Sequence, residues 1–571
     1  MRQGAGFAWV YVGTLLCATL GRAPLAAATT WSVTQFGANP NGSVDDTAAI
    51  NAAINAAQSG DTVFFPAGVY DIANVITAKT GVALLGAGEG STSIKSTAAS
   101  GASNIMLNLG SASNVQVSNL TLNGNNNPNL GYGISGAGGS GENINNIAIA
   151  NYPSNGISLW SVTNSTISNN QIFNGGGGVN LSGCSGVVTA GNAITRCTGG
   201  VGDAGGSNET IVNNTISIVN APLQQYAAMY VRGSNMLVQG NVMNHWLSCD
   251  TYLADSAIRN NVITATDGTQ SYAAIEMAGA ANDDIFSGNV ILGGQGNGFT
   301  ETNNDLRQRL YYAHNTVRGV STGMAAGWGG TFGENQQVYL YANTFAGNSG
   351  TGFGFGGGCQ MFDFDSNVFS GNGNVGITFN SGTSPSLDKF RFVNNTITDN
   401  AGGGMTSLAL SNQYFDSSNT VAGNGGANGN YTPASAGTFY NNMPTVSIVG
   451  SDSATVGAPV NFSSAFADSL GTPANYLWDL GDGLPLTTST ASFTYSEPGT
   501  YDVGLVVWDS LGRAAHDELQ LTVTAASGAQ FESAASALAP GPSNPVPEPS
   551  AAILAAVAGL AASACAARRR A

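Results

Sequence analysis

Asn214-Thr215-Ile216, Asn241-Val242-Met243 and Asn261-Val262-Ile263 repeat one phrase: an Asn, any residue, then a large apolar residue. The phrase occurs eleven times between Asn170-Gln171-Ile172 and Asn419-Thr420-Val421, the other copies being headed by Asn192, Asn289, Asn315, Asn343, Asn367 and Asn395. Successive Asn residues are 22, 22, 27, 20, 28, 26, 28, 24, 28 and 24 positions apart. A period of that size marks a solenoid, in which each unit buries its apolar side only by stacking on its neighbours. The segments between turns alternate apolar and polar residues, as in Ile157-Ser158-Leu159-Trp160 and Ile377-Thr378-Phe379-Asn380. That is strand periodicity. Gly and Asn punctuate the strands, where positive φ angles are needed. The expected fold is all-β: a parallel β-helix with an internal ladder of Asn amides. The recurrent Asn is expected to take the left-handed conformation at its turn while its amide bonds the same amide one coil away.

Upstream, the chain opens as a secretory signal over 1–28, with Arg2, an apolar core from Phe7 to Leu20, and Ala26-Ala27-Ala28 as the cleavage site. Three phrases follow: Val33-Thr34-Gln35-Phe36-Gly37-Ala38, Asp45-Asp46-Thr47-Ala48-Ala49-Ile50 and Val63-Phe64-Phe65-Pro66-Ala67-Gly68-Val69-Tyr70. They resemble the opening of the pectate-lyase-superfamily β-helix shared by rhamnogalacturonase-like and epimerase-like proteins. The resemblance implies a right-handed parallel β-helix, here over 31–425, and a carbohydrate-active or adhesive role. The residues agree with it. Asp45 or Asp46 can cap a helix running to Gln58, and Ile50, Ala53, Ile54 and Ala57 form an apolar stripe at helical spacing. Such a helix covers the open end of the solenoid, where strand edges are otherwise exposed.

Aligning coils on the Asn ladder puts a strand upstream of each Asn, with side chains alternately inside and outside. One outward column then reads Ser158, Asn180, Gly202, Tyr230, Asp250, Glu276 and Thr300; a second reads Trp160, Ser182, Ala204, Arg232, Tyr252, Ala278 and Thr302. Only the middle coils carry chemistry. Asp250 and Glu276 are the candidate acid and base, or acid and nucleophile, of glycosidic cleavage. Arg232 is a candidate partner for a uronate carboxylate, or the base of an elimination. Tyr230, Tyr252 and Trp160 are candidate sugar-stacking groups, with His245 in the preceding loop. Asp203 and Glu301 fall on nominally inward positions, where an unpaired carboxylate does not stay; either the register slips there, or those coils open into a cleft flanking the patch. The competing reading is a solvated polar face. The polygalacturonase motifs Asn-Thr-Asp, Gly-His-Gly and Arg-Ile-Lys are absent from the sequence, as is the Asp-Pro-His-Glu motif of alginate epimerases.

Past the solenoid, 426–443 reads as a linker and 444–525 as short alternating strands. Trp478-Asp479-Leu480-Gly481-Asp482-Gly483 and Pro498-Gly499-Thr500-Tyr501-Asp502-Val503 resemble the PKD domain, a small immunoglobulin-like β-sandwich. Trp478 is expected in its core. Asp479 and Asp482 can ligate calcium or shape the turn, and turn chemistry is the simpler reading; no other cofactor is implied. A small-residue linker covers 526–545. Val546-Pro547-Glu548-Pro549-Ser550, an apolar run to Ala567 and Arg568-Arg569-Arg570 resemble a PEP-CTERM sorting signal over 546–571. That resemblance implies an exosortase-type partner and transient anchoring in the inner membrane of a Gram-negative-type cell. Of six cysteines, Cys184, Cys197, Cys249 and Cys359 lie in the solenoid, too few and too scattered for a disulfide framework or a zinc spacing. Cys184 and Cys197 can bridge, or all four can be buried thiols.

The formal charge is −17 with only 9% charged residues, so the surface repels nucleic acid and anionic membranes. Gly, Asn, Ser and Thr take the place of charge, which suits sugar hydroxyls. The expected function is a secreted, surface-sorted protein that cleaves an extracellular polysaccharide by hydrolysis or β-elimination. The alternative is a non-catalytic glycan-binding, adhesive or structural matrix protein.

Overall fold

The computed structural model describes residues 27–97, 104–218, 227–264, 273–302, 306–328, 335–356, 359–379, 387–406 and 412–525. The segment expected as a secretory signal, up to Ala26, and those expected as a linker from 526 and a sorting signal over 546–571 lie outside the described residues. Among the described residues, no helix is long and apolar enough to cross a membrane.

Residues 30–422 wind into a right-handed parallel β-helix of about 13 turns. Each coil contributes a strand to three stacked sheets. The first sheet contains Ile157 to Trp160 and the strands Gly199–Ala204, Met229–Ser234, Leu247–Ala254, Ile275–Met277 and Phe299–Thr302. The second contains the strands just before each ladder Asn, from Thr166–Ser168 through Leu237–Gln239, Ala257–Arg259 and Arg307–Ala313 to Gln413–Phe415. The third contains the strands just after it. Inward Ile, Val, Leu, Met and Phe side chains form one continuous core, which ends in stacked phenylalanines such as Phe364 on Phe392 at 4.9 Å.

The Asn ladder is unbroken. The Nδ2 of each Asn from Asn170 to Asn395 donates to Oδ1 of the next, at 2.9 Å for the Asn170–Asn192 and Asn214–Asn241 steps and 3.0 Å for Asn289–Asn315. The same Oδ1 accepts the backbone N–H of the preceding Asn, and Nδ2 also reaches a carbonyl such as Ile258 O at 2.8 Å. Every donor and acceptor at this buried turn is thereby satisfied. The expected conformation is corrected in one respect. The left-handed residue is the one before the ladder Asn: Asn169, Gly191, Asn213, Gly240, Asn260, Gly288, His314, Ala342, Ser366 and Asn394 all have φ from 51° to 67°. A second ladder, Asn348 to Asn372 to Asn400 to Asn424, runs beside the first in the last coils.

The N-terminal cap helix is Thr47–Ala56, with Ile50, Ala53 and Ile54 buried on the first coils. It starts later and ends earlier than expected. Asp45, not Asp46, satisfies its first turn: the Asp45 carboxylate accepts the Thr47 N–H at 3.0 Å and its hydroxyl at 2.5 Å. Asp46 is buried and accepts the Asn39 N–H at 2.7 Å.

The C-terminal sandwich has a sheet of Thr445–Val449, Pro459–Ala467 and Thr490–Thr494 facing a sheet of Ser453–Thr455, Ala514–Thr524, Gly499–Asp509 and Pro473–Asp479. Trp478 is buried in its core, its indole N–H donating to Thr488 O at 2.8 Å. The sandwich does not stand apart. Leu477, Val506, Trp508 and Ala514 pack on Ala257, Ile285, Tyr311, Ala313 and Tyr339 of the second sheet. Arg259 Nη1 lies 2.9 Å from Asp479, and Gln239 Nε2 donates to Asp482 at 3.2 Å. The segment expected as a linker is packed too: Tyr440 is buried, and Asn441 and Asn442 carbonyls accept from Arg513 at 3.1 and 3.0 Å. All four solenoid cysteines are buried free thiols, so Cys184 and Cys197 are not bridged.

Candidate functional site

The outward face of the first sheet is nearly bare along the early coils. Ser158 and Asn180 are stacked neighbours, and Gly202 offers no side chain. The next positions in the same column are Tyr230, Ser248, Glu276 and Thr300. This corrects the expected register: Ser248, not Asp250, stands between Tyr230 and Glu276. Asp250 lies two residues further along the strand Leu247–Ala254, where pairing with Met229–Ser234 is interrupted between Val231 and Gly233. Its side chain is outside the described residues. Strand spacing puts the backbones of Asp250 and Glu276 about 8 Å apart rather than side by side.

Tyr230, Arg232 and Glu276 are half-buried on this face, and Ser248 forms a small step between them. Past the irregularity Gly233 pairs with Leu253, so Arg232 and Tyr252 are neighbours across one coil. Tyr252 is 43% exposed, the largest open aromatic surface on this sheet among the described residues. Arg232 lies over Gly205, its Nη2 3.5 Å from where a Cβ would stand. Gly205 has φ +83°, and its missing side chain lets the guanidinium rest on the preceding coil.

Asp203 and Glu301 are fully buried inside the solenoid rather than flanking a cleft. Asp203 pairs in register with Leu181 and Glu301 with Met277, so their inward phase is genuine. The Glu301 carboxylate accepts the Tyr312 hydroxyl at 2.9 Å. Asp203 accepts the Gly206 N–H at 3.1 Å; burial, opposed by that bond and by Arg232, pushes its pKa up to about 7. Close by is Glu209, also fully buried. Its carboxylate accepts the Val187 N–H at 3.0 Å, and burial together with Asp203 pushes its pKa up to about 8. Both carboxyls crowd Gly206, where a Cβ would lie 2.6 Å from Asp203 Oδ1 and 2.9 Å from Glu209 Cγ. Glu209 was not singled out in the sequence. It belongs to a row of polar side chains before the second-sheet strands, and Ser256 and Asp284 serve the same turn: Ser256 Oγ accepts the Met236 N–H and Asp284 the Ser256 N–H.

His245 is buried between the third and first sheets, its ring 6.5 Å from Trp246. Trp160 is half-buried and meets Tyr132 edge-on at 5.8 Å. It stands three coils from Arg232, about 14 Å by strand spacing, so it belongs to a separate part of the face. In the sandwich, Asp479 accepts the Gly481 N–H and Asp482 the Gly483 N–H, each at 2.9 Å, and both reach the solenoid. Their oxygens serve the turn and the domain contact. Among the described residues no group of three or more His, Cys, Asp and Glu side chains is placed to hold a metal ion.

Comparison with known proteins agrees with this architecture. Residues 30–109 match the family model "Rhamnogalacturonase A/epimerase, pectate lyase-like", residues 103–245 and 155–331 match "Right handed beta helix region", and residues 441–530 match "PKD domain". A segment is 45% identical over 74 residues to mannuronan C5-epimerase AlgE3 of Azotobacter vinelandii, 11% of this chain and 4% of that protein. Another is 36% identical over 84 residues to collagenase ColQ1 of Bacillus cereus strain Q1, 14% of this chain and 9% of that protein. The chain thus spans less than a tenth of either curated relative. Among solved structures, the catalytic unit of a GH87 α-1,3-glucanase from Streptomyces thermodiastaticus strain HF3-3 is similar at 17% identity, TM-score 0.40, over 72% of this chain and 70% of that one. The surface adhesin PfbA of Streptococcus pneumoniae is similar at 15% identity, TM-score 0.42, over 59% and 92%. The chain therefore combines a pectate-lyase-like, right-handed β-helix region with a PKD domain.

Proposed function

We propose that this is a secreted, surface-sorted protein that binds and cleaves an extracellular polysaccharide on the outward face of its first sheet. The observation that carries the reading is the row Tyr230, Ser248 and Glu276 beside Arg232 and the exposed Tyr252, on a face whose neighbouring coils carry Ser158, Asn180, Gly202 and Thr300 in the same column. Tyr252 offers a ring to stack on a sugar, and Arg232 a guanidinium for an anionic or hydroxyl group. Glu276 and Asp250 are the proposed carboxyl pair. A backbone offset of about 8 Å favours the wider carboxyl spacing, which leaves room for a water between them, over the closer spacing of a covalent mechanism. The short likeness to a mannuronan C5-epimerase supports a polysaccharide as the ligand class, while the missing Asp-Pro-His-Glu motif argues against epimerisation as the reaction. Export by the N-terminal segment and sorting by an exosortase through Pro547-Glu548-Pro549 complete the proposal.

The second reading, a non-catalytic glycan-binding or matrix protein, is favoured by the burial of Asp203 and Glu301, which leaves few acids on the face. The test is incubation of the secreted chain with a panel of acidic and neutral polysaccharides, following both new reducing ends and absorbance of 4,5-unsaturated uronates. Hydrolysis is expected to fall at least 100-fold in Glu276→Gln and Asp250→Asn, with melting temperature unchanged. An elimination would instead be abolished by Arg232→Ala. Binding without cleavage of any polysaccharide, weakened by Tyr252→Ala, would establish the second reading.

A further inference from the structure

The outward face of the second sheet changes character along the solenoid. Its positions are Thr166 and Ser168, then Val188 and Ala190, then Thr210 and Val212. From the next coil they become Leu237, Ala257, Ile285, Tyr311 and Tyr339, with Ala313 and Tyr341 beside them. This stripe is the seat of the sandwich, and the fit is close. A Cβ on Gly504 would lie 2.9 Å from the Tyr311 hydroxyl, and one on Gly512 2.6 Å from Met361 Sδ.

His516 of the sandwich lies at the edge of the seat. Its ring centroid is 4.1 Å from that of Tyr341, 5.1 Å from that of Tyr339 at 24° between planes, and 5.5 Å from that of Tyr311. Its Nε2 is 2.9 Å from the Tyr311 hydroxyl. We propose that the sandwich is a fixed wall of the solenoid at neutral pH and that protonation of His516 releases it from the tyrosine stripe.

The carboxylates behind the tyrosines are already engaged: Asp365 accepts the Tyr339 hydroxyl and Asp363 accepts from Arg391. Tyr311, Tyr339 and Tyr341 face it from the second sheet, and His314 and Arg391 act on it as positive charges. Glu518, on the same strand, is held by His314. A neutral imidazole can accept from the Tyr311 hydroxyl through Nε2; an imidazolium can only donate there, so the hydroxyl proton must turn away into the apolar stripe. Burial, with His314 and Arg391, pushes the His516 pKa down to about 3. A base depressed in the seated state stabilises seating above its free pKa and loses that contribution as pH falls. Between the ordinary value near 6.5 and about 3, the seating constant should drop tenfold per pH unit, roughly a thousandfold in all. His314 has the opposite sign. Burial lowers its pKa, but the bond to Glu518 together with the negative charges of Glu518, Asp502 and Asp479 outweighs that and raises it. Below about pH 5.5 His314 is therefore protonated whether seated or released, and it adds no further pH dependence there.

The test is small-angle scattering of the full secreted chain from pH 7.5 to 3.5, with circular dichroism to establish that both units stay folded. Wild type is expected to lengthen below about pH 5, while His516→Gln, which stays neutral and can still bond Tyr311, remains compact. A wild-type particle that stays compact to pH 3.5, or a Gln variant that opens at the wild-type pH, overturns the proposal. Should His516→Gln fail to seat at pH 7.5, His516→Phe supplies a neutral ring for the tyrosine stack. If that variant also opens at pH 7.5, shape rather than charge governs the seat, and the proposal fails.

Discussion

Ala342 is left-handed, with φ of 51°, at a step that Gly191, Gly240 and Gly288 occupy on other coils. A Cβ in that conformation costs roughly 1–2 kcal/mol, of which part is offset by the greater unfolded freedom of Gly. Ala342→Gly is therefore expected to stabilise the chain by about 0.5–1 kcal/mol in urea denaturation. The ladder residue that follows this step is far less tolerant. Asn289 Oδ1 accepts from the N–H and Nδ2 of Asn261, and its own Nδ2 donates to Ile258 O and Asn315 Oδ1. Asn289→Ala strands buried donors and acceptors at 0% exposure, and about 3 kcal/mol or more should be lost. A change below 1 kcal/mol in the same assay would mean that water replaces the amide. The ladder was legible because one letter recurs. The left-handed step carries no such mark, because its occupant varies among Asn, Gly, His, Ala and Ser while only the conformation repeats. The second ladder was equally legible, five residues after the first at Asn348, Asn372, Asn400 and Asn424, but it covers only the last coils.

At the scale of the strand, phase along the coil was readable and position was not. Inward Asp203 and outward Tyr230 follow from alternation alone. Asp250 lies two residues beyond the position that counting from the Asn gives it, because its coil has the shortest Asn spacing, 20, and carries an irregularity between Cys249 and Leu253. Counting from the Asn cannot see an extra pair of residues looped out of a ladder. The buried acids show why inward phase need not open a cleft: a carboxyl can stay inside if it is protonated or takes backbone N–H bonds. Asp203 rises from 3.8 to about 7 and Glu209 from 4.5 to about 8. An acid raised in the folded state stabilises the fold below its ordinary pKa, and that contribution is lost as pH rises through the folded value. Melting temperature should accordingly fall between about pH 5 and pH 8. The double change Asp203→Asn with Glu209→Gln should flatten that fall while keeping oxygens for the Gly206 and Val187 N–H groups. A profile as steep as wild type would place the titrating groups elsewhere.

The whole molecule is governed by a contact that the sequence carries but did not announce. The apolar turn taken by the second-sheet positions from Leu237 to Tyr341 was present in the strands before each Asn. It was read as part of a repeat, because one sequence does not say which outward face another unit will cover. The same limit makes 426–443 read as a linker rather than as part of the contact. At the centre of the contact, Arg259 is fully buried, with Asp479 2.9 Å from its Nη1 and itself bonded to the Gly481 N–H. Such a pair adds little beyond what apolar groups of the same size would give, but halving it leaves one charge buried alone. Asp479→Asn keeps the acceptor for Gly481 and strands the guanidinium. Arg259→Met fills the space and strands the carboxylate. Each single change should destabilise the seated form by about 3 kcal/mol, read as earlier proteolysis within 426–443 and as a lower first melting transition. The double change should restore most of that loss, because no charge is left uncompensated. If instead the two losses add, the pair is not coupled, and the apolar stripe beneath Leu477, Val506 and Trp508 holds the sandwich by itself.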